Sequence, residues 1–293
     1  MQYVGFMITV FTPAYNRADL LPRLYDSLKA QTCRDFEWVV VDDGSTDGTE
    51  AVMRGFVEEG LLDIRYFRQE NGGKLRAINR GVKEAKGELF FIVDSDDYLP
   101  KDSIMDICRV WEDVKEDSRF GGVSGYMGTD ENHFLGNGQT APAVLDCNAL
   151  DFRYTHHVEG DMAEVFRTDV LREIPFPEVE GEKFCPEALV WNRIAQKYIL
   201  RYFHKIIYIA EYQVGGISAN MARWRMESPV ASCTHYKELN GYDVPWRIKA
   251  KSAINYWRFH ACLKKGSKVP HLPTKWIWAA PLGYLYHLFD KRK

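Results

Sequence analysis

The 293 residues are 46% hydrophobic and 27% charged, with a formal net charge of −3. This describes a soluble globular protein with room for one large domain or two modest ones, and excludes a nucleic-acid or other polyanion binder. The charge is unevenly spread: from Val244 to Lys293, eleven Lys and Arg stand against the single acid Asp290, which marks a basic tail with its own partner.

The opening MQYVGFMITVFTPAYN has no basic leader region and breaks at Pro13. It reads as a first strand, Phe6–Phe11, not a signal peptide. Leu20, Leu21, Leu24 and Leu28 then recur at helical spacing within Ala18–Gln31. Phe36–Val41 is a continuous apolar run, the mark of a strand buried on both faces. DDGSTDGT follows, with a helix through about Glu59. Ile64–Phe67 is a third strand, Gly73–Ala85 a helix and Leu89–Val93 a fourth buried strand. Repeated βα units predict a parallel sheet with right-handed crossovers.

After Pro100 the regularity fades. Asp102–Glu116 reads as a helix, and Phe120–Asn148 as loops and short strands. Asp161–Phe166 is a strand, Pro175–Pro186 a loop, Glu187 to about Lys197 a helix and Ile206–Ala210 a short strand. The six cysteines are scattered with no CxxC pair, so we expect reduced, mostly buried thiols in a cytoplasmic protein. No stretch reaches the roughly 18 apolar residues of a membrane span.

Ligands of such sheets bind beyond the carboxyl ends of the strands. Three polar clusters stand there: TPAYNR, DDGSTDGT and DSDD. Asp42 opens the second and can accept hydrogen bonds from a base N–H or a sugar hydroxyl; the plain alternative is a turn with helix-capping residues. In DSDD, three carboxylates within four residues repel one another unless a cation neutralises them. Mg²⁺ or Mn²⁺ held by one or two of them, together with substrate phosphates, fits that set. NGGKLRAINR, between these clusters, opens a helix carrying Lys74 and Arg76, which suits a diphosphate.

TPAYNR…VVVDDGSTDGT…NGGK…AKGELFFIVDSDDYLP resembles the inverting glycosyltransferases of family 2 over roughly residues 6–100. The resemblance implies the GT-A fold: α/β, with a Rossmann-like, mostly parallel central sheet flanked by helices, followed here by a helical C-terminal extension. It implies a nucleotide-diphosphate sugar donor, usually UDP-linked. Pro13, Tyr15, Arg17 and Asp42 would contact base and ribose. Asp94 would contact ribose or metal, Asp96 would ligate metal, and Lys74 and Arg76 would lie near base or diphosphate. The expected organisation is a catalytic domain over 1–215, with its nucleotide-sugar half at 1–100 and its acceptor half at 101–215, and a basic-aromatic extension over 216–293.

A sugar hydroxyl needs a carboxylate to take its proton as it attacks. The candidate is Glu187 in Cys185-Pro186-Glu187-Ala-Leu-Val-Trp191. The family often carries Glu-Asp before this Trp, so Pro186 replaces the first acid; the plain reading is a helix N-terminus with Pro and a first-turn acid. The acid pair Asp161 and Glu164 is a weaker candidate for the sugar pocket, and His156 and His157 lack partners at metal spacing. Asn220-Met-Ala-Arg223-Trp224 lacks the Gln of the Gln-x-x-Arg-Trp motif of processive members, which points to single sugar addition.

Aromatic and basic residues mix in the tail, which ends KWIWAAPLGYLYHLFDKRK. This suits peripheral contact with the inner face of a cell membrane and a saccharide or polyprenyl-linked acceptor, as in surface polysaccharide assembly. A helical subdomain packed on the core is the alternative. The competing function is a nucleotide-sugar binder that keeps the fold and lacks catalysis. An oxidoreductase is excluded by the missing GxGxxG after the first strand.

Overall fold

The computed structural model describes residues 7–138, 142–211 and 220–291. Contacts divide the chain into two units: 1–175 with 194–212, and 176–193 with 213–293. The boundary expected between 215 and 216 lies outside the described residues, as does Phe6.

The first unit opens with four βα repeats. They are β1 (Ile8–Ala14), α1 (Leu21–Lys29), β2 (Phe36–Asp42), α2 (Thr49–Glu59), β3 (Ile64–Arg68), α3 (Lys74–Glu84), β4 (Leu89–Ile92) and α4 (Ser103–Glu112). Then come β5 (Phe120–Asp130), β6 (His133–Phe134), β7 (Val144–Cys147), α5 (Ala149–Tyr154), β8 (Met162–Arg167), α6 (Thr168–Glu173) and β9 (Ile199–Ile209). The strand order is β3-β2-β1-β4-β8-β5-β9-β7, with β6 beside β5. The pairs among β3, β2, β1 and β4 are all parallel. The strand β8 enters antiparallel to both β4 and β5.

The chain winds outward from β1 to β3 and then returns to place β4 on the other side of β1. That reversal opens a crevice at the carboxyl ends of β1 and β4, where sheets of this type bind ligands. Every residue of β2 is buried, as the run FEWVVV predicts. Its one internal charge, Glu37, accepts hydrogen bonds from Thr9 Oγ1 (2.7 Å) and Lys86 N (2.6 Å). Such pairing is what a buried carboxylate requires. Tyr25 packs between Trp38 and Phe56 on one face of the sheet, with ring centroids 6.0 and 3.9 Å away.

Three strands differ from expectation. The first, β1, does not break at Pro13 but runs through it to Ala14, in parallel register with β2. Residues 120–130 form one continuous strand, β5, where loops and short strands were expected. Its glycines conceal it, because glycine is a poor strand former in isolation. A side chain at Gly122 would lie 2.1 Å from the carbonyl oxygen of Val165 on β8. Close backbone approach therefore selects glycine there. Likewise β9 spans Ile199–Ile209, not only its apolar end, because its polar first half alternates between faces.

The second unit is helical. It contains nearly all of α7 (Glu187–Ile194), then α8 (Met221–Glu227), α9 (Pro229–Gly241), α10 (Trp246–His260), a 3-10 turn at Thr274–Ala279 and α11 (Ala280–Asp290). The segment 176–193 is tied to α9 by two acid contacts. Glu182 accepts from Val230 N (2.7 Å) and Ala231 N (2.9 Å), capping that helix. Arg193 pairs with Glu238 through two hydrogen bonds of 2.9 and 2.8 Å. Cys233, Tyr236, Tyr256 and Phe259 form a small core. No helix among the described residues is long and apolar enough to cross a membrane.

Candidate active site

The site grows from the loop after β1. Ala14 ends that strand opposite Asp42. Asn16 takes a positive φ of 53°, a conformation Asn tolerates better than most residues. Its backbone N–H donates to Ser45 Oγ (2.9 Å), and its side-chain oxygen accepts from Thr46 N (2.8 Å). Arg17 N donates to Thr49 Oγ1 (2.9 Å). The first and second loops are thus stitched into one wall. Tyr15 stands out from it, 46% exposed, so its ring face is available to a ligand.

Asp42 is wholly buried. Its carboxylate accepts from Ser45 N (2.8 Å) and from the Tyr66 hydroxyl (2.6 Å), and Arg68 lies 3.8 Å away. Burial, reinforced by this hydrogen bond, raises the Tyr66 pKa. Asp42 therefore holds the floor of the loop. Gly44 has φ +81°, and a side chain there would lie 3.0 Å from Asn71 N, so the turn admits only glycine without strain.

The neighbouring acid, Asp43, does something the sequence did not reveal. Its carboxylate accepts from Gln69 Nε2 (2.8 Å), Gly72 N (2.9 Å) and Gly73 N (2.7 Å). It thereby fixes the turn that starts α3. Lys74, the first residue of α3, reaches back to Asp94 beyond β4, with Nζ 2.8 Å from Oδ1 and 2.9 Å from Oδ2. Arg76, in the first turn of the helix, is half-buried, and its guanidinium donates to Gly72 O (3.3 Å).

The three acids of DSDD separate into different roles. Asp94 faces Lys74. Asp96 is raised above the usual carboxylate pKa, first by burial and then by the charge of Asp94; Arg17 and Lys74 oppose the shift. Four of the expected residues, Arg17, Lys74, Asp94 and Asp96, therefore share one electrostatic environment. Asp97 is taken up elsewhere: it accepts from the Tyr208 hydroxyl (2.5 Å) and from Glu211 N (2.7 Å). Burial above all pushes its pKa up to about 7. The same Tyr208 oxygen accepts from Asp94 N (3.0 Å), so β9 braces the acidic loop. Arg23 of α1 adds a further brace, donating to the backbone oxygen of Asp96 and pairing with Glu211.

Among the described residues, no group of three or more His, Cys, Asp and Glu side chains is arranged to hold a metal ion. Asp94 and Asp96 are two carboxylates close enough for the charge of Asp94 to act on Asp96. That donor set fits a Mg²⁺ or Mn²⁺ ion completed by substrate phosphates, and not an all-protein cage.

Glu187 belongs to the second unit. It is half-buried at the first position of α7, following Pro186, and Leu189 N donates to Pro186 O (2.9 Å) as the helix begins. Trp191, one turn on, meets Phe176 edge to face at 5.5 Å. The neighbouring Cys185 thiol is pushed up to about 12 by burial, so it is inert. Of the weaker candidates, Glu164 sits on β8 opposite Ser124, Asp161 is exposed, and His156 and His157 are exposed. Arg223 pairs with Glu227 (2.8 Å) on α8.

Asp43, Tyr66, Tyr208 and Arg23 escaped sequence reasoning. Only Asp43 carried a local signal, as the second acid of a pair at a strand mouth. The others act through partners 24 to 188 residues away, from Tyr66 with Asp42 to Arg23 with Glu211.

A family model described as Glycosyl transferase family 2 matches residues 9–168. Glycosyltransferase GlyG of Streptococcus pneumoniae is 33% identical over 130 residues, 44% of this chain and 43% of GlyG. Poly(ribitol-phosphate) beta-N-acetylglucosaminyltransferase TarS of Staphylococcus aureus is 31% identical over 199 residues, 64% of this chain and 33% of TarS. The chain thus spans less than half the length of either relative. A crystal structure of S. aureus TarS in complex with UDP superposes with a TM-score of 0.62 at 20% identity, covering 88% of this chain and 72% of that one. Mannosyltransferase PcManGT from Pyrobaculum calidifontis, in complex with GDP-Man and Mn²⁺, gives 0.62 at 19% identity over 98% of this chain and 88% of that one. These likenesses show the GT-A fold. The family match covers more than half of the chain and runs through all three loops of the crevice, so the chain belongs to glycosyl transferase family 2.

Proposed function

We propose that the chain moves a sugar from a nucleotide-diphosphate donor, a UDP-sugar, to a hydroxyl of a saccharide or polyprenyl-linked saccharide. One observation carries this reading. At the switch point of the sheet, the ion pair of Lys74 with Asp94 joins the helix after NGG to the acidic loop after β4. A cation, a helix start and paired acids at that place suit a metal-bound diphosphate.

In this reading the base and ribose lie against Pro13, Tyr15 and Arg17. Asp42, whose carboxylate also holds the loop, joins these contacts. Lys74 and Arg76 face the diphosphate, with Asp94 between ribose and metal. Asp96 and Asp94 would hold Mn²⁺ or Mg²⁺, which when bound would supply positive charge against the leaving diphosphate. Glu187 takes the proton of the acceptor hydroxyl as its oxygen attacks the anomeric carbon. The bond from that carbon to the diphosphate breaks, its electrons leave on the diphosphate oxygen, and the configuration inverts. The UDP complex of TarS and the GDP-Man and Mn²⁺ complex of PcManGT support the donor and metal classes. A single addition, in surface polysaccharide assembly with the basic tail on a membrane, completes the proposal.

The test is a screen of nucleotide-sugar donors by released nucleotide, with and without Mn²⁺. We expect one donor to be hydrolysed in a metal-dependent way, and Asp96→Asn to lower that rate by about 10²-fold or more. Hydrolysis that ignores both metal and Asp96→Asn would overturn the metal assignment. Donor binding with no turnover, in hydrolysis or in transfer to any acceptor, would favour the non-catalytic binder.

A further inference from the structure

The second unit presents an unusual helix. Only Gly283 and His287 of α11 are buried, and Ala280 and Asp290 are half-buried. On the rest of the helix, Leu282, Tyr284, Leu285, Tyr286, Leu288 and Phe289 are each 42 to 56% exposed. Leu282, Leu285, Tyr286 and Phe289 fall at i, i+3, i+4 and i+7, a single stripe. A surface helix ordinarily turns a polar face outward. Here the outward face is apolar and aromatic, and an exposed patch of that kind marks an interaction site.

The patch continues into the preceding turn. Ile277 and Trp278 are 64 and 45% exposed, and Trp278 stacks with Trp246 at 6.5 Å. Beside these rings a cavity of about 400 Å³ is lined by Val244, Trp246, Lys249, Lys275, Trp276 and Trp278. Lys275 and Lys291 are exposed at the two ends of the segment. The one acid between Val244 and Lys293 is Asp290, and Arg258 neutralises it through hydrogen bonds of 2.5 and 2.7 Å. The surface is therefore apolar with a cationic surround.

That charge pattern selects the occupant. A second copy would bring like charges together across the same patch, which opposes association. An anionic bilayer offers apolar depth for Leu and Phe, an interface for Trp and Tyr, and negative headgroups for the lysines. We propose that α11, the Thr274–Ala279 turn and the Trp246 end of α10 form one membrane-docking surface for an anionic leaflet. Lys249 and Lys275, among the three indoles, meet headgroup phosphates, while the α11 stripe enters the acyl boundary. This deepens the membrane contact proposed above and rests on that reading, but not on the donor chemistry.

The experiment is co-sedimentation of the full chain with vesicles of phosphatidylcholine alone or mixed with phosphatidylglycerol. Donor hydrolysis without vesicles is measured in parallel, so a failure here is distinguishable from a failure of the donor assignment. We expect binding to the anionic vesicles only, weakened by salt. Leu285→Glu with Phe289→Glu should lower it by at least about tenfold, as should Lys275→Glu with Lys291→Glu. All four positions are exposed, so hydrolysis and thermal unfolding should stay unchanged. Absence of binding to anionic vesicles, or equal binding by the apolar double variant, overturns the proposal. A wild-type dimer that this variant converts to monomer, with no vesicle binding, also overturns it and assigns the face to self-association.

Discussion

Lys74 Nζ lies 2.8 Å from Asp94 Oδ1, across 20 residues of sequence, and thereby links the start of α3 to the loop after β4. A lysine there balances the acidic loop and leaves a cation beside the place proposed for the diphosphate. Lys74→Met should raise the donor KM about ten- to a hundredfold, the worth of one charge-assisted hydrogen bond. Folding should hardly change, because the pair is partly exposed. Donor titration alongside thermal unfolding checks both.

Glu187→Gln keeps the shape of the side chain and removes its basicity. The transfer rate should drop by about 10²- to 10⁴-fold with donor binding unaltered. Calorimetric titration of the nucleotide sugar, beside turnover with an acceptor, separates the two effects. Equal turnover by wild type and variant would remove Glu187 from the mechanism.

Asp42 and Tyr66 form a hydrogen bond of 2.6 Å under the loop, and the carboxylate is wholly buried. Tyr66→Phe should cost about 1.5–3 kcal/mol, the range for a hydrogen bond to a charged group. Asp42→Ala should cost more, since it also strands Ser45 N. Urea unfolding of the two variants measures the order.

His235 is buried on α9, and its pKa is pushed down to about 3 by burial first and then by the charge of Arg225. A histidine held neutral in the fold stabilises it above the unfolded pKa of about 6.5. As pH falls below that value, the unfolded chain takes up a proton that the native state refuses. Stability of the second unit should then decline by up to about 1.4 kcal/mol per pH unit. His235→Leu should flatten this slope, read from unfolding curves between pH 7 and 5.

Much of the first hundred residues was legible because their signals are local. Apolar runs end at polar clusters in β1, β2 and β4, and each cluster lies within a few residues of its strand. Three clusters after parallel strands must then share one rim, whatever the packing details. The strand β5 was not legible, because its glycines are chosen by contact with β8 and not by any periodicity.

The amino-acid pattern alone determined the βα repeats, the crevice at the strand ends and the concentration of acids in DSDD. Tertiary structure decided how those acids divide. Asp97 goes to Tyr208, 111 residues away, and Asp94 to Lys74, while Asp43 rather than Asp42 secures the Gly72–Gly73 turn. It also decided that the aromatic tail contains a helix whose apolar side is exposed among the described residues. The physical reason is the same in each case. Periodicity and turn chemistry act within a few residues, whereas a carboxylate's partner and a helix's packing face depend on segments brought together only by the fold.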